Sequence, residues 1–257
     1  MANTVQYSFK RVEKKYFLTP EQYERFLIGT EPFIAPDAYG KSSILNIYYD
    51  TDDYRLIRAS IDKPIYKEKL RVRSYGTPRE DGKVFVEIKK KFDGVVYKRR
   101  ATCPVDALSR LLGPAPAPVG QIEREIAAFQ QFWHTSPKVF IGYDRIAYAG
   151  REDDALRITF DDNLRFRTHD LDLRAGDGGT RFFDDNRILM EIKIPGACPL
   201  WLCRLLSELK IYPTSFSKYG SCYCHSLWQL SARRTPELSL YPCKTQENHT
   251  KEALTSA

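Results

Sequence analysis

Lys67-Glu68-Lys69-Leu70-Arg71-Val72-Arg73, Val84-Phe85-Val86-Glu87-Ile88-Lys89 and Val96-Tyr97-Lys98-Arg99-Arg100 follow one another within the stretch Tyr66 to Arg100. All three alternate as β-strands do, with successive side chains on opposite faces. Lys69, Arg71 and Arg73 then share a face, as do Glu87, Lys89 and Lys91, and Lys98 and Arg100. The other face collects Leu70, Val72, Val84, Val86 and Ile88. One apolar and one charged face is ordinary for an antiparallel sheet wetted on one side. Here the charged face is almost entirely Arg, Lys and Glu. Curled into a barrel with that face inward, the sheet would form a basic tunnel suited to a polyanion.

The whole chain is compatible with such a barrel. Its 257 residues suffice for one large β-rich domain, and 42% hydrophobic residues supply a core. A formal net charge of +7 favours an acidic partner: nucleic acid, anionic membrane, nucleotide or polyphosphate. The first residues, Met1 to Tyr7, lack the apolar centre of a signal peptide, and no window approaches the roughly 20 apolar residues that span a bilayer. The six cysteines (Cys103, Cys198, Cys203, Cys222, Cys224, Cys243) read as reduced thiols of a cytoplasmic protein. Cys222 and Cys224 lie in a helical pattern, where residues two apart diverge and cannot easily share zinc with His225.

Outward from the basic strands, Phe9–Leu18 reads as a first strand and Ser42–Asp50 as a second. Thr19-Pro20-Glu21 carries a helix start, and Gly29 is the expected stop of a helix over 21–28. A short helical turn is expected over Tyr54–Ala59, a helix over Val105–Leu112, and a stiff loop at Gly113-Pro114-Ala115-Pro116-Ala117-Pro118. Ile122, Ile126, Phe129 and Trp133 share one face of a helix over 121–133. Further strands are expected at Val139–Tyr148, Leu156–Asp161, Leu164–Thr168 and Arg187–Ile194, then closing helices at Pro199–Leu209 and Ser217–Leu230. The polar residues 233–257 are expected to be a disordered tail after a single domain over 1–232. This is an α+β chain of about eight antiparallel strands with flanking helices.

The charged faces repeat as Glu13/Lys15, Arg71/Arg73, Glu87/Lys89, Lys98/Arg100, Arg165/Arg167 and Glu191/Lys193. A solvated face explains any one pair, where a cross-strand ion pair contributes at most ~1 kcal/mol. Arg-x-Arg, however, sets like charges side by side, and paired guanidinium forks match phosphate oxygens. Carboxylates among these cations suit a site that also holds Mg²⁺ or Mn²⁺, which take oxygen ligands. Glu191, Glu87 and Glu13 are candidates that an antiparallel barrel could bring together. No phosphate-loop, dinucleotide-binding or G-x-S-x-G pattern is present, and the four histidines fit no metal spacing.

With these residues in hand, the sequence resembles the triphosphate tunnel metalloenzymes, and within them the VTC (vacuolar transporter chaperone) polyphosphate polymerase domain. The resemblance rests on Arg11-Val12-Glu13-Lys14-Lys15-Tyr16, Asn46-Ile47-Tyr48-Tyr49-Asp50-Thr51, Leu70-Arg71-Val72-Arg73-Ser74-Tyr75-Gly76, Val84 to Lys89, Leu189-Met190-Glu191-Ile192-Lys193 and Ser217-Lys218-Tyr219. Arg11 stands where the CYTH-type triphosphatases carry a further Glu, which favours the VTC branch. The resemblance implies an eight-stranded antiparallel β-barrel, a triphosphate tunnel, with flanking helices. It implies catalytic roles for Lys15, Arg71, Arg73, Lys89 and Lys218. Phosphate contacts would come from Lys69, Lys98, Arg100, Arg145, Arg157 and Lys193, and Glu191 would hold Mn²⁺ or Mg²⁺ with Glu87 and Glu13 as helpers. The implied reaction moves the γ-phosphate of a nucleoside triphosphate to a polyphosphate chain. Two alternatives stay open: a triphosphatase using the same tunnel, and a non-catalytic polyphosphate-binding module serving a membrane-protein partner. Specific nucleic-acid binding is not expected, since stacking aromatics are not interleaved with the basic positions.

Overall fold

The computed structural model describes residues 12–113, 116–153 and 155–227. The expected tail over 233–257, the last residues of the closing helix and the strand residues before Val12 lie outside them. The strands are β1 (Val12–Leu18), β2 (Ile34–Pro36), β3 (Ser42–Asp50), β4 (Tyr66–Tyr75), β5 (Lys83–Phe92), β6 (Val95–Pro104), β7 (Ser136–Gly150), β8 (Arg157–Arg167), β9 (Thr180–Arg181), β10 (Ile188–Ile194) and β11 (Pro213–Thr214). The α-helices are α1 (Pro20–Thr30), α2 (Arg55–Ile61), α3 (Leu108–Leu112), α4 (Gln121–Trp133), α5 (Leu200–Glu208) and α6 (Lys218–Cys222), which runs into a π-helical turn, Tyr223–Leu227. The class is α+β, a large antiparallel sheet with flanking helices, as expected. Setting aside the two- and three-residue strands β2, β9 and β11 leaves the eight expected long ones.

The chain divides into two compact units. The first takes Met1–Ile44, Gly142–Arg165 and Gly179–Ser215. Its strand order is β11-β1-β10-β8-β7, with β2 on β7 and β9 on β8. Tyr16, Leu18, Ile158, Phe160, Met190 and Ile192 are buried on one face of this sheet with Phe26 of α1 and Leu202 of α5. Thr19 caps α1 as expected: its Oγ1 accepts from Gln22 N at 3.1 Å, and Thr19 N donates to Gln22 Oε1 at 3.0 Å. Gly29 does not end that helix, which continues to Thr30. A Cβ at Gly29 would stand 2.7 Å from Leu205 Cδ1, so glycine serves there to let α5 approach.

The second unit takes Leu45–Ile141, Phe166–Gly178 and Phe216–Ala257. Its strand order is β7-β3-β4-β5-β6. The predicted apolar face is its core: Leu70, Val72, Val84, Val86 and Ile88 are all buried, with Leu111, Ile126 and Phe129 packed among them from α3 and α4. Each unit ends in an edge strand, β11 in the first and β6 in the second, so hydrogen bonding among the described residues does not close the expected barrel into a ring.

Two local expectations change. The strands expected at 156–161 and 164–168 are one strand, β8, in which Asn163 takes a φ of 48°. Asn tolerates that left-handed conformation, so the chain kinks without leaving the sheet. Cys224 is disulfide-bonded, whereas Cys103, Cys198, Cys203 and Cys222 are free. The expectation of reduced thiols therefore fails at Cys224. No helix among the described residues is long and apolar enough to cross a membrane.

Candidate functional site

In the second unit, the β4–β5–β6 register turns the charged face into cross-strand rows. Arg71 lies opposite Glu87, and Glu87 opposite Arg100. Two residues along, Lys69 faces Lys89, and Lys89 faces Lys98. Two residues the other way, Arg73 faces Phe85. Successive rows stand about 6.8 Å apart.

Glu87 is the centre of this face and is only 1% exposed. Its Oε2 accepts from Arg71 Nε at 2.7 Å. Its Oε1 accepts from Lys98 Nζ at 2.7 Å, and from Arg100 through Nε at 2.7 Å and Nη2 at 2.5 Å. Burial alone would push the Glu87 carboxyl up; Arg71, Arg73 and Lys98 outweigh it and hold it well below the carboxylate range. Burial pushes the Lys98 amine down to about 8, against the pull of Glu87.

The arginines have further supports from β3. Arg71 Nη1 donates to Tyr48 Oη at 3.2 Å, and Arg73 Nε donates to Asn46 Oδ1 at 2.9 Å. Asn46 is itself fixed by donating Nδ2–H to the Ile141 carbonyl at 3.0 Å. Tyr48 stacks on Tyr219, with ring centroids 4.8 Å apart, and Tyr219 Oη donates to Asp50 Oδ2 at 2.9 Å. Asp50 also accepts from the backbone N–H groups of Thr51, Leu56 and Ile57, which ties it to the start of α2. Lys69 Nζ reaches Ser217 Oγ at 3.5 Å, and Ser217 caps α6, whose first residue is the buried Lys218. The predicted Lys69, Arg71, Arg73, Glu87, Lys89, Lys98, Arg100 and Lys218 thus all belong to this unit.

In the first unit, β1 and β10 pair so that Glu13 faces Lys193 and Lys15 faces Glu191. The four form a checkerboard of alternating sign. Lys15 Nζ is 3.8 Å from Glu13 Oε1 and 3.6 Å from Glu191 Oε1. Glu191 Oε2 lies 3.6 Å from Arg145 Nη2 and 3.9 Å from Lys193 Nζ. Arg145 is held by Asp161 through Nε at 2.5 Å and Nη2 at 2.7 Å. Arg157 instead pairs with Asp37 at 3.0 Å.

Arg165 and Arg167, whose spacing suggested a phosphate-type pair, are each engaged by other groups of the protein. Arg165 pairs with Asp144 at 3.5 Å and donates to the Asn163 carbonyl. Arg167 donates to the carbonyls of Asp170, Asp172, Gly176 and Gly178, and its guanidinium lies 3.7 Å from the Phe140 ring centroid. It is spent on holding its own loop. Sequence reasoning gave no site role to Asp161, Asn46 and Tyr48. The last two were findable, because the β3 alternation that buries Leu45 and Ile47 sends Asn46 and Tyr48 to the opposite face.

The family model of the VTC domain matches residues 10–227 of the 257. The chain belongs to the VTC domain family. No curated protein matches it. Among solved structures, this VTC domain is similar to a candidate adenylate cyclase of Bacillus halodurans, with 13% identity and a TM-score of 0.49 over 80% of this chain and 93% of that one. It is similar to another from Vibrio parahaemolyticus, with 12% identity and a TM-score of 0.45 over 84% and 98%. A third, from Hippeastrum, is described as having a dominant triphosphatase activity and shares 15% identity with a TM-score of 0.46 over 81% and 93%.

The donor set of the VTC domain can be tested against a divalent ion. Among the described residues no three His, Cys, Asp or Glu side chains form a ready metal cage. Magnesium-type sites characteristically use one or two carboxylates and complete the shell with phosphate oxygens and water. Glu191 with Glu13 on the diagonal of the checkerboard fits that description. Glu87 is the more tightly engaged carboxylate, both of its oxygens accepting from cations at 2.7 Å or less.

Proposed function

We propose that this VTC domain is a metal-dependent phosphotransferase of the polyphosphate polymerase type, moving the γ-phosphate of a nucleoside triphosphate to a polyphosphate chain. The row Lys69–Lys89–Lys98 carries the reading. Like charges directly opposite one another destabilise a sheet, and of the three lysines Lys98 is engaged by Glu87 from the next row. A linear polyanion would add negative charge along this face, beside the lysine row and the flanking arginines. The rows of Lys69, Arg71 and Arg73 extend over about 13–14 Å along β4, which suits a chain of phosphates better than a single one.

Arg71 and Arg73 present guanidinium groups whose orientation is fixed by Glu87, Tyr48 and Asn46, so they need no reorganisation when phosphate oxygens arrive. Lys69, Lys89, Lys98, Arg100 and Lys218 add positive charge around the chain, and Lys15, Arg145, Arg157 and Lys193 add it in the first unit. Glu191 and Glu13 are the residues proposed to hold Mn²⁺ or Mg²⁺, which when bound would neutralise charge on the transferring phosphoryl group. A terminal phosphate of the acceptor is already an anionic nucleophile, so positioning rather than general-base chemistry is asked of the protein.

Incubation with ATP, Mn²⁺ and a short polyphosphate primer, followed by gel electrophoresis, tests this reading. A lengthening ladder is expected. Orthophosphate without polymer would replace it with a triphosphatase, and tight polyphosphate binding without turnover would replace it with a binding module.

A further inference from the structure

One end of the second unit's sheet combines an exposed apolar tip with lysines that continue the charged face beyond the phosphate rows. Residues Asp62 to Tyr66 and Phe92 to Arg99 are all exposed. They include large apolar side chains that a water-facing hairpin has no reason to carry: Ile65 is 70% exposed, Phe92 55%, Tyr66 46% and Val95 40%. The register gathers them, since Tyr66 faces Phe92, Phe92 faces Val95, and Asp93 N donates to the Ile65 carbonyl at 3.0 Å. Asp93 and Gly94, both at positive φ, make the two-residue turn at the apex. Clustered exposed apolar groups of this kind mark an interaction surface.

One residue behind the apolar row, about 3.4 Å along the strands, Lys67 stands directly opposite Lys91. Lys63 and Lys89 are close enough to lower the Lys67 pKa together with Lys91, after burial as the first cause. These four lysines outnumber Asp62 and Asp93 at the same end. A like-charge cross-strand pair behind an apolar tip is unfavourable in water. It becomes favourable where apolar side chains enter an acyl boundary and lysines lie at the level of anionic headgroups.

We infer that the β5–β6 turn with Ile65 and Tyr66 is a membrane-surface contact that takes an anionic phospholipid bilayer, independently of the reaction proposed above. A tight two-residue turn exposed on both sides is shaped to enter a lipid interface, whereas a protein-binding groove would be concave.

Flotation of the whole protein with vesicles of phosphatidylcholine, alone or mixed with phosphatidylglycerol, tests the inference. The protein is expected to float with the mixed vesicles, and to release as salt is raised. Phe92→Ser with Val95→Ser should lower partition about tenfold or more while leaving the thermal midpoint and polyphosphate binding unchanged. Lys63→Glu should lower it about fivefold or more for mixed vesicles only. Equal flotation with neutral vesicles, or unchanged flotation of the Phe92/Val95 variant, would overturn the inference. So would a dimer in ultracentrifugation that the same variant dissolves, since the tip would then serve a second copy. Loss of both vesicle and polyphosphate binding in that variant would return the tip to the phosphate site.

Discussion

Arg71 donates its Nε–H to Glu87 Oε2 at 2.7 Å from directly across the β4–β5 ladder. The bond fixes the guanidinium in one orientation, and its Nη1 is fixed separately by Tyr48. Glu87 therefore acts on Arg71 as a positioning residue. Glu87→Gln should cost about 3 kcal/mol in urea unfolding, the low end for breaking a buried pair, because its partners are partly exposed. Tripolyphosphate should raise the thermal midpoint of Glu87→Gln more than that of the wild type, since the ligand supplies the missing negative charge. An equal or smaller shift would argue that Glu87 has no part in ordering the cations.

Glu87 also sets a sign for acid sensitivity. Its carboxyl is depressed in the folded state, so its contribution is present above the unfolded value of about 4.3 and is lost as pH falls below it. Acid titration of the folded protein by circular dichroism should show this loss, and Glu87→Gln should remove it.

Lys98 titrates from the other side. Burial lowers its amine to about 8, against about 10.4 for an unfolded lysine. Between those values the unfolded chain binds more protons, so the Lys98 contribution to stability rises with pH through that window. Phosphate affinity should move oppositely, because the free protein loses the Lys98 charge above pH 8. Calorimetric titration with tripolyphosphate is expected to show weaker binding and proton uptake as pH rises past 8. Lys98→Arg should flatten both trends; a flat profile in the wild type would contradict them.

Tyr219 stacks on Tyr48, the acceptor of Arg71 Nη1. Tyr219→Phe removes the bond to Asp50 while Asp50 keeps its three backbone donors, so a cost of about 1–2 kcal/mol is expected. The stack on Tyr48 survives, and so phosphate affinity should change much less than in Tyr48→Phe, which deletes the acceptor of Arg71. Comparing the two dissociation constants for tripolyphosphate checks the order.

Glu191→Gln probes the proposed metal role. Turnover of ATP should fall about 10²-fold or more, while metal-free tripolyphosphate binding should hold or strengthen because a charge of the ligand's own sign is gone. Equal metal activation in the variant and wild type would remove Glu191 from that role.

Much of this was legible because the apolar and charged residues of β4 and β5 alternate without a break. Leu70, Val72, Val84, Val86 and Ile88 could only be core, and all are. Gly29 misled because a glycine after a helical run has two physical meanings, a C-terminal stop or a close approach, and only the position of Leu205 separates them. Arg167 misled for a related reason. Alternation tells which face a side chain takes but not whether nearby carbonyls will claim its five donors. The Arg145–Asp161 pair joins residues 16 apart in sequence, and only the pairing of β7 with β8 reveals it.

The β1–β10 checkerboard has one more consequence. A one-residue slip of β1 along β10 would turn Tyr16 and Leu18 out of the core, so hydrophobicity forbids it. A two-residue slip preserves both faces and hydrophobicity is blind to it. One such slip sets Lys15 against Lys193, and the other sets Glu13 against Glu191. Alternating charges thus act as a parity check on strand alignment, rejecting the errors that the apolar pattern lets through.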